Sequence, residues 1–179
     1  MRSHSRRDSW KSGLLRPTVP ASLHSWLTHR GSLTARLKAH CRQFQVKLLH
    51  QGLARPFEDE RALLGLRRGE LVWIREVLLC DGDRPLVFAH SVLPRQHVRG
   101  AWNLFAGLGA RPLGEALFTD PRVARRGLHF KRLGAGHPLS RRAARFLAAP
   151  RPSARRSLFY RHGRSLLVTE VFLGQTAPF

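Results

Sequence analysis

Apolar residues recur along this chain at two spacings, which predict two kinds of element. Between residues 23 and 37 they return every three to four positions, which predicts two short helices, and Ser32 is placed to cap the second. Elsewhere the apolar segments are short, rich in Val, Leu and Phe, and bounded by Gly, Pro or Asp, as is typical of strands. The clearest are ELVWIREVLLC (70–80) and PLVFAHSVLP (85–94), which the turn DGDR joins into a hairpin.

A second hairpin is predicted near the end of the chain, where RSLFYRH (156–162) and RSLLVTEVFLG (164–174) meet at the turn HGR. Further strands are predicted over 44–52 and around LHFKRL (128–133). Because the strands come in hairpins and do not alternate with helices, the pattern predicts an α+β fold with a single antiparallel β-sheet of about six strands. Both hairpins are apolar on both faces, so we expect helices to cover the sheet or the sheet to enclose a pocket.

Two charged residues interrupt the apolar faces of these hairpins. Arg75 shares a strand face with Trp73 and Val77, and Glu170 lies among apolar neighbours on the last strand. Burying an unpaired charge costs several kcal/mol, and a guanidinium stays protonated. Two explanations remain open. One is a buried salt bridge from Arg75 to Glu170 or Glu76, and the other is a cavity in which Arg75 binds an anionic ligand and Glu170 its polar end.

His90, on the second strand of the first hairpin, is either a structural residue or a second positive partner for the same anion. The remaining histidines and the cysteines Cys41 and Cys80 show no metal-ligand spacing, and no nucleotide-binding glycine motif is present. We therefore expect neither a metal nor a cofactor. Unpaired cysteines are typical of a reducing compartment, and no apolar segment reaches the ~18 residues of a membrane span, so a cytoplasmic location is predicted.

The charge of the chain is unusual, because 32 basic residues, of which only four are lysine, stand against 11 acidic ones and give a net charge of +21. Such a surface attracts anions, so nucleic-acid binding is one alternative, but it requires exposed aromatic residues among the basic ones. The large aromatic residues lie instead in apolar segments: Trp73, Phe88, Phe118 and Phe172. We expect a basic surface that steers small anions, with no specific nucleic-acid partner. Residues 1–13 are predicted to be a flexible basic tail and residues 14–179 one domain.

Five segments, in order along the chain, resemble the chorismate lyase family: WIREVLLC (73–80), HSVLP (90–94), PLGEALF (112–118), RRS (155–157) and LLVTEVFL (166–173). The resemblance covers roughly residues 20 to 175. It implies an antiparallel sheet covered by helices, with a ligand site buried under helical flaps. It also implies a monomeric, cofactor-independent lyase that eliminates pyruvate from chorismate to give 4-hydroxybenzoate, the first committed step of ubiquinone biosynthesis.

The resemblance also implies roles for particular residues of this chain. Arg75 matches the arginine that holds the ring carboxylate, and Glu170 matches the acid near the 4-hydroxyl, either as acid/base or only as a ligand of the hydroxyl. Leu113 matches a residue with a main-chain contact to the carboxylate, and Leu33 falls where the family has a methionine in the flap. His90 falls where the family has an arginine on the enolpyruvyl side, so we expect the second carboxylate of the substrate to be held differently here.

A non-catalytic alternative shares the implied fold, because the effector-binding domains of some bacterial transcription regulators resemble chorismate lyase. Such a regulator carries a winged-helix domain ahead of its effector domain, and we expect the roughly 20 residues before the first predicted helix to be too few for one. The presence of both Arg75 and Glu170 also favours the enzyme.

Overall fold

The computed structural model describes residues 9–14, 18–148 and 150–174. Within these ranges the helices are α1 (Ala21–Leu27), α2 (Leu33–His40), α3 (Glu58–Leu64), α4 (Asn103–Ala106), α5 (Leu113–Thr119) and α6 (Pro138–Ala143). The strands are β1 (Phe44–Ala54), β2 (Val72–Asp81), β3 (Arg84–Pro94), β4 (Val123–Arg132), β5 (Ser153–Arg161) and β6 (Arg164–Phe172). Short 3₁₀ turns follow β3 and α6, over Arg95–His97 and Ala144–Phe146.

These strands form one antiparallel sheet in the order β1-β2-β3-β6-β5-β4, which confirms the predicted α+β fold. The two predicted hairpins, β2–β3 and β5–β6, are neighbours in the sheet because β3 pairs with β6. In the second hairpin His162 and Gly163 both have positive φ, 49° and 72°. Two successive residues with positive φ are what a tight type I′ turn requires, so the HGR turn closes the hairpin without loosening its register.

Helices cover both faces of the sheet, as the apolar hairpins predict. On the front face, to which Arg75 and Glu170 point, α1, α2, α4 and α5 pack on the strands. On the back face α3 and α6 pack around residues such as Phe88 and Val171. The predicted cap of α2 is confirmed, since Ser32 Oγ accepts a hydrogen bond from the amide of the third helical residue at 3.2 Å. Among the described residues, no helix combines the length and the apolar character needed to cross a bilayer.

The predicted tail over residues 1–13 lies mostly outside the described residues. Within it, Trp10 donates its indole N–H to Asp59 at 3.0 Å, and Lys11 forms an isolated antiparallel bridge with Phe130. These contacts attach residues 10 and 11 to the sheet domain. The domain boundary at residue 14 stays a prediction.

Candidate active site

A cavity lies between the front face of the sheet and the helices α2 and α5. It is partly open to solvent. Alternate residues of a strand point to one face, and the first residues of α2 and α5 lie over the same strands. Four of the five predicted site residues line this cavity: Arg75, Glu170, Leu33 and Leu113.

Arg75 places a buried positive charge at one end of the cavity. Its side chain donates from Nε and Nη2 to the carbonyl oxygen of Gly109, at 3.0 and 2.8 Å, and from Nη2 to that of Arg111, at 2.7 Å. Within the described ranges its Nη1 makes no hydrogen bond, and no carboxylate lies within 4.0 Å of the guanidinium. Burial lowers the pKa of Arg75 to about 10, so the group stays protonated at neutral pH. The carbonyls therefore orient the charge but do not neutralise it.

Glu170 is paired with Arg155, which lies directly across from it on β5. The Oε2 atom of Glu170 accepts a hydrogen bond from Nε of Arg155 at 2.5 Å, whereas its Oε1 has no hydrogen-bond partner among the described residues. Glu76 lies on the back face and pairs with other side chains. The salt bridge that the sequence allowed between Arg75 and either glutamate is therefore absent from the described part of the chain.

Arg155 connects Glu170 to the first helix. It is 1% exposed, and its Nη1 donates to the carbonyl oxygens of Trp26, Leu27 and His29 at 3.1, 3.2 and 2.7 Å. These carbonyls lie at and just after the end of α1, where a helix leaves carbonyl groups without partners and favours a cation. Arg155 is not among the predicted site residues, although a regular hairpin counted from the HGR turn places it opposite Glu170.

The distance between Arg75 and Glu170 follows from the register of the sheet. Arg75 is opposite Ser91 on β3, and Ser91 is opposite Val168 on β6, two residues before Glu170. The two site residues are thus separated by about 10 Å across the strands and about 7 Å along them. A cation and a carboxylate held apart in this way can contact opposite ends of one small ring.

The structure corrects the expectation that His90 lines the site. An unbroken hairpin counted from its DGDR turn would put His90 opposite Arg75, on the same face. A β-bulge shifts the register by one residue beyond Leu79, so that Ser91 is opposite Arg75 and faces the cavity. A shift of one residue turns every later side chain to the other face. His90 therefore points to the back of the sheet, where it is fully buried.

His90 is held on the back face by two carboxylates. Its Nδ1 lies 2.9 Å from Oε1 of Glu76, and its Nε2 lies 3.0 Å from Oε1 of Glu60. The ring of Phe57 stacks on the imidazole with the centroids 5.3 Å apart, and Arg142 donates to the other oxygen of Glu76 at 3.0 Å. Burial by itself would lower the pKa of His90, but the two carboxylates raise it to about 9. The imidazolium form is thus part of the folded structure.

We expect the protein to lose stability as the pH rises through about 9, because His90 then loses its charge between two carboxylates. A group whose pKa rises on folding stabilises the fold fully below its unfolded value, here 6.5, and no longer does so above its folded value. The loss is about 3 kcal/mol. Denaturant titrations near pH 6 and near pH 10 measure it. His90→Gln should remove most of the pH dependence, and an equal dependence in both proteins would contradict this role.

The helices α2 and α5 approach each other closely over the cavity. A Cβ atom on Gly114, the second residue of α5, would lie 2.6 Å from Oγ1 of Thr34 and 3.2 Å from Oγ of Ser32. Lys38 of α2 also forms an ion pair with Glu115 of α5. The two helices therefore have the positions of the flaps that the resemblance implied, and a side chain at position 114 would displace Thr34.

An antiparallel sheet covered by helices, with a cavity between them, defines a class of α+β folds, and solved structures share this fold. The effector domain of PhnF from Mycobacterium smegmatis superposes with a TM-score of 0.55 at 17% identity, over 80% of this chain and 88% of that one. The C-terminal domain of the histidine utilization repressor from Pseudomonas syringae superposes with a TM-score of 0.56 at 9% identity, over 73% and 92%. At these identities the likeness shows the fold alone.

Similarity of sequence identifies the family of this chain, which the structural likeness does not. The family model described as chorismate lyase matches residues 6–179. A probable chorismate pyruvate-lyase of Aromatoleum aromaticum is 54% identical over 183 residues, which cover 97% of this chain and 96% of the relative. Another, of Nitrosospira multiformis, is 52% identical over 159 residues, covering 87% and 88%. This chain belongs to the chorismate lyase family and is an enzyme of the lyase class, which confirms the resemblance read from its five segments.

Proposed function

We propose that this protein eliminates pyruvate from chorismate and so forms 4-hydroxybenzoate. One observation supports the proposal: among the described residues, a buried cation without an acidic partner and a carboxylate oxygen without a hydrogen-bond partner lie across one cavity. Chorismate has a ring carboxylate at one end and a hydroxyl at the opposite position of its ring. Arg75 is opposite in charge to the carboxylate, and the free Oε1 of Glu170 can accept a hydrogen bond from the hydroxyl.

Arg75 is proposed to hold the ring carboxylate. Its Nε and Nη2 donate to backbone carbonyls, so Nη1 is the nitrogen that remains to donate a charged hydrogen bond to the carboxylate. The two carbonyls that orient Arg75 come from the segment just before α5, so the cation and the flap are linked. Leu113, first residue of α5 and 6% exposed, is placed to add its main-chain amide, and Leu33 of α2 covers the ring.

Glu170 is proposed to contact the ring hydroxyl through Oε1 while Arg155 holds Oε2. In the reaction the C3–O bond of the enolpyruvyl group breaks and the hydrogen at C4 leaves. That hydrogen ends on the enolpyruvyl methylene, which becomes the methyl of pyruvate, either by direct transfer or through Glu170. Because the ring becomes aromatic, the step is strongly downhill, and the protein contributes mainly by fixing one conformer and excluding water.

The test is incubation of the purified protein with chorismate. We expect 4-hydroxybenzoate, followed by its absorbance, and pyruvate, followed by a coupled dehydrogenase, to appear in equal amounts. Binding of chorismate without turnover would contradict the proposal and support the non-catalytic effector domain. The role in ubiquinone biosynthesis, the cytoplasmic location and the monomeric state stay predictions, the last of which gel filtration can test.

Closure of the flaps is testable at Gly114. Gly114→Ala should push α5 away from α2, because its Cβ would overlap Thr34, and overpacking of this kind costs about 1–3 kcal/mol. We expect the affinity for 4-hydroxybenzoate to fall by about 10-fold, measured by calorimetry. Gly107→Ala is the matched control, since a Cβ there meets nothing within 4 Å. Equal affinities in the two variants would show that the flaps tolerate the methyl group.

A further inference from the structure

The cavity wall holds more positive charge than one carboxylate requires. Three arginines line it: Arg75, Arg125 and Arg155. The charge of Arg155 is matched by Glu170. Arg75 and Arg125 have no carboxylate within 4.0 Å among the residues that the structure describes. Two uncompensated cations thus face one cavity, and only Arg75 has a role in the proposed function.

Arg125 is oriented toward the cavity by several contacts. Its Nε donates to Oγ of Ser157 at 2.8 Å, and its Nη1 donates to the carbonyl oxygen of Arg30 at 2.8 Å. Its guanidinium carbon lies 5.8 Å and 5.7 Å from the ring centroids of Phe118 and Phe159. These contacts hold the plane of the guanidinium, while Nη2 makes no hydrogen bond to a described residue. Burial lowers the pKa of Arg125 to about 10, so the side chain is charged at neutral pH.

Ser157 is suited to act beside Arg125. It is 3% exposed and lines the cavity from β5, on the same strand face as Arg155. Its oxygen accepts the hydrogen bond from Arg125, so its own hydroxyl hydrogen remains available for an acceptor in the cavity. A guanidinium N–H and a hydroxyl side by side are donors of the kind that a carboxylate needs.

We propose that Arg125 and Ser157 form a second anion subsite, which holds the enolpyruvyl carboxylate of a dianionic substrate. This subsite rests on the proposed function, and it supplies the charge that His90, on the back face, does not. Arg75 holds the carboxylate that stays with the ring, and Arg125 holds the one that leaves as pyruvate. The product 4-hydroxybenzoate has lost the second carboxylate and makes no use of the subsite.

The experiment compares Arg125→Gln with Arg126→Gln. Arg126 is the next residue of β4, is exposed and lies 5.1 Å from the ring centroid of Tyr160, so both variants lose one charge from the same region. For Arg125→Gln we expect kcat/KM for chorismate to fall by about 10- to 100-fold, the worth of one charged hydrogen bond, while the Kd of 4-hydroxybenzoate stays within about two-fold. Arg126→Gln should change neither, and Arg125→Lys should recover part of the loss.

Two outcomes would overturn the subsite. If Arg125→Gln weakens the binding of 4-hydroxybenzoate as much as that of chorismate, Arg125 only stabilises the backbone around Arg30. If the Arg125 and Arg126 variants have equal kcat/KM, the positive charge of Arg125 acts on the substrate only through long-range attraction. Should the wild-type protein not turn over chorismate, the proposed function fails, and calorimetry with unreacted chorismate against 4-hydroxybenzoate still decides the subsite by the same comparison.

Discussion

Arg75→Ala is expected to lower kcat/KM for chorismate by about 100-fold, because it removes the buried cation together with a charged hydrogen bond worth about 1.5–3 kcal/mol. The loss should fall on binding, and 4-hydroxybenzoate should lose affinity to the same extent, since both molecules carry the ring carboxylate. Steady-state kinetics and calorimetry measure the two quantities. Arg126→Gln, on the exposed side of β4, is the control for the loss of one charge from a very basic protein.

Arg75→Ala also leaves the carbonyls of Gly109 and Arg111 without their hydrogen-bond donor, so stability has to be measured beside activity. Arg75→Lys separates the two effects, because it keeps a buried cation but cannot donate to both carbonyls and to the ligand in the planar geometry of the guanidinium. We expect Arg75→Lys to remain folded and to recover only part of the affinity. If Arg75→Ala stays folded and binds 4-hydroxybenzoate as the wild type does, Arg75 does not hold the ring carboxylate.

Glu170→Gln is expected to lower kcat while leaving the fold intact. The amide oxygen of glutamine can still accept the hydrogen bond from Arg155, so the contacts with α1 should persist. A fall of about 10- to 100-fold in kcat is expected if Glu170 only binds the hydroxyl, and about 100- to 10,000-fold if it transfers the proton. Single-turnover rates measured across pH distinguish the two roles.

Glu58→Gln is the matched control for this variant, because Glu58 is an exposed carboxylate of α3 on the back of the sheet. It should leave kcat unchanged. Activity of Glu170→Gln equal to that of the control would remove Glu170 from the chemistry. A variant that unfolds would instead assign the Arg155–Glu170 pair a structural role.

Local sequence pattern was a good guide to the elements of this fold. Some features depend on only a few neighbouring residues and can therefore be recognised in the sequence. They are the turns DGDR and HGR, the alternation within the hairpins and the Ser32 cap. The same regularity extends to one pair in the site. Arg155 lies as far before His162 as Glu170 lies after Gly163, and the arginine–glutamate pair follows from that count.

The face of the sheet on which His90 lies could not be predicted from the local sequence pattern. The bulge beyond Leu79 shifts the register of the first hairpin by one residue, and the residues of the turn do not indicate it. With the shift, Ser91 enters the cavity and His90 joins Glu60 and Glu76 on the back face. A register shift of one residue moves a side chain to the other face of the sheet, so the resemblance by itself could not place His90.

By itself the sequence determined the strands, the short helices, the α+β class and the two charged residues, Arg75 and Glu170, that had to be explained. Only the tertiary structure decided which groups meet these charges. The carbonyls that orient Arg75 and the arginine that lines the far wall, Arg125, come from segments distant in sequence. Pairing of buried charges depends on distances of a few ångströms between such segments, which are set when the helices close on the sheet and not by the pattern of any one element.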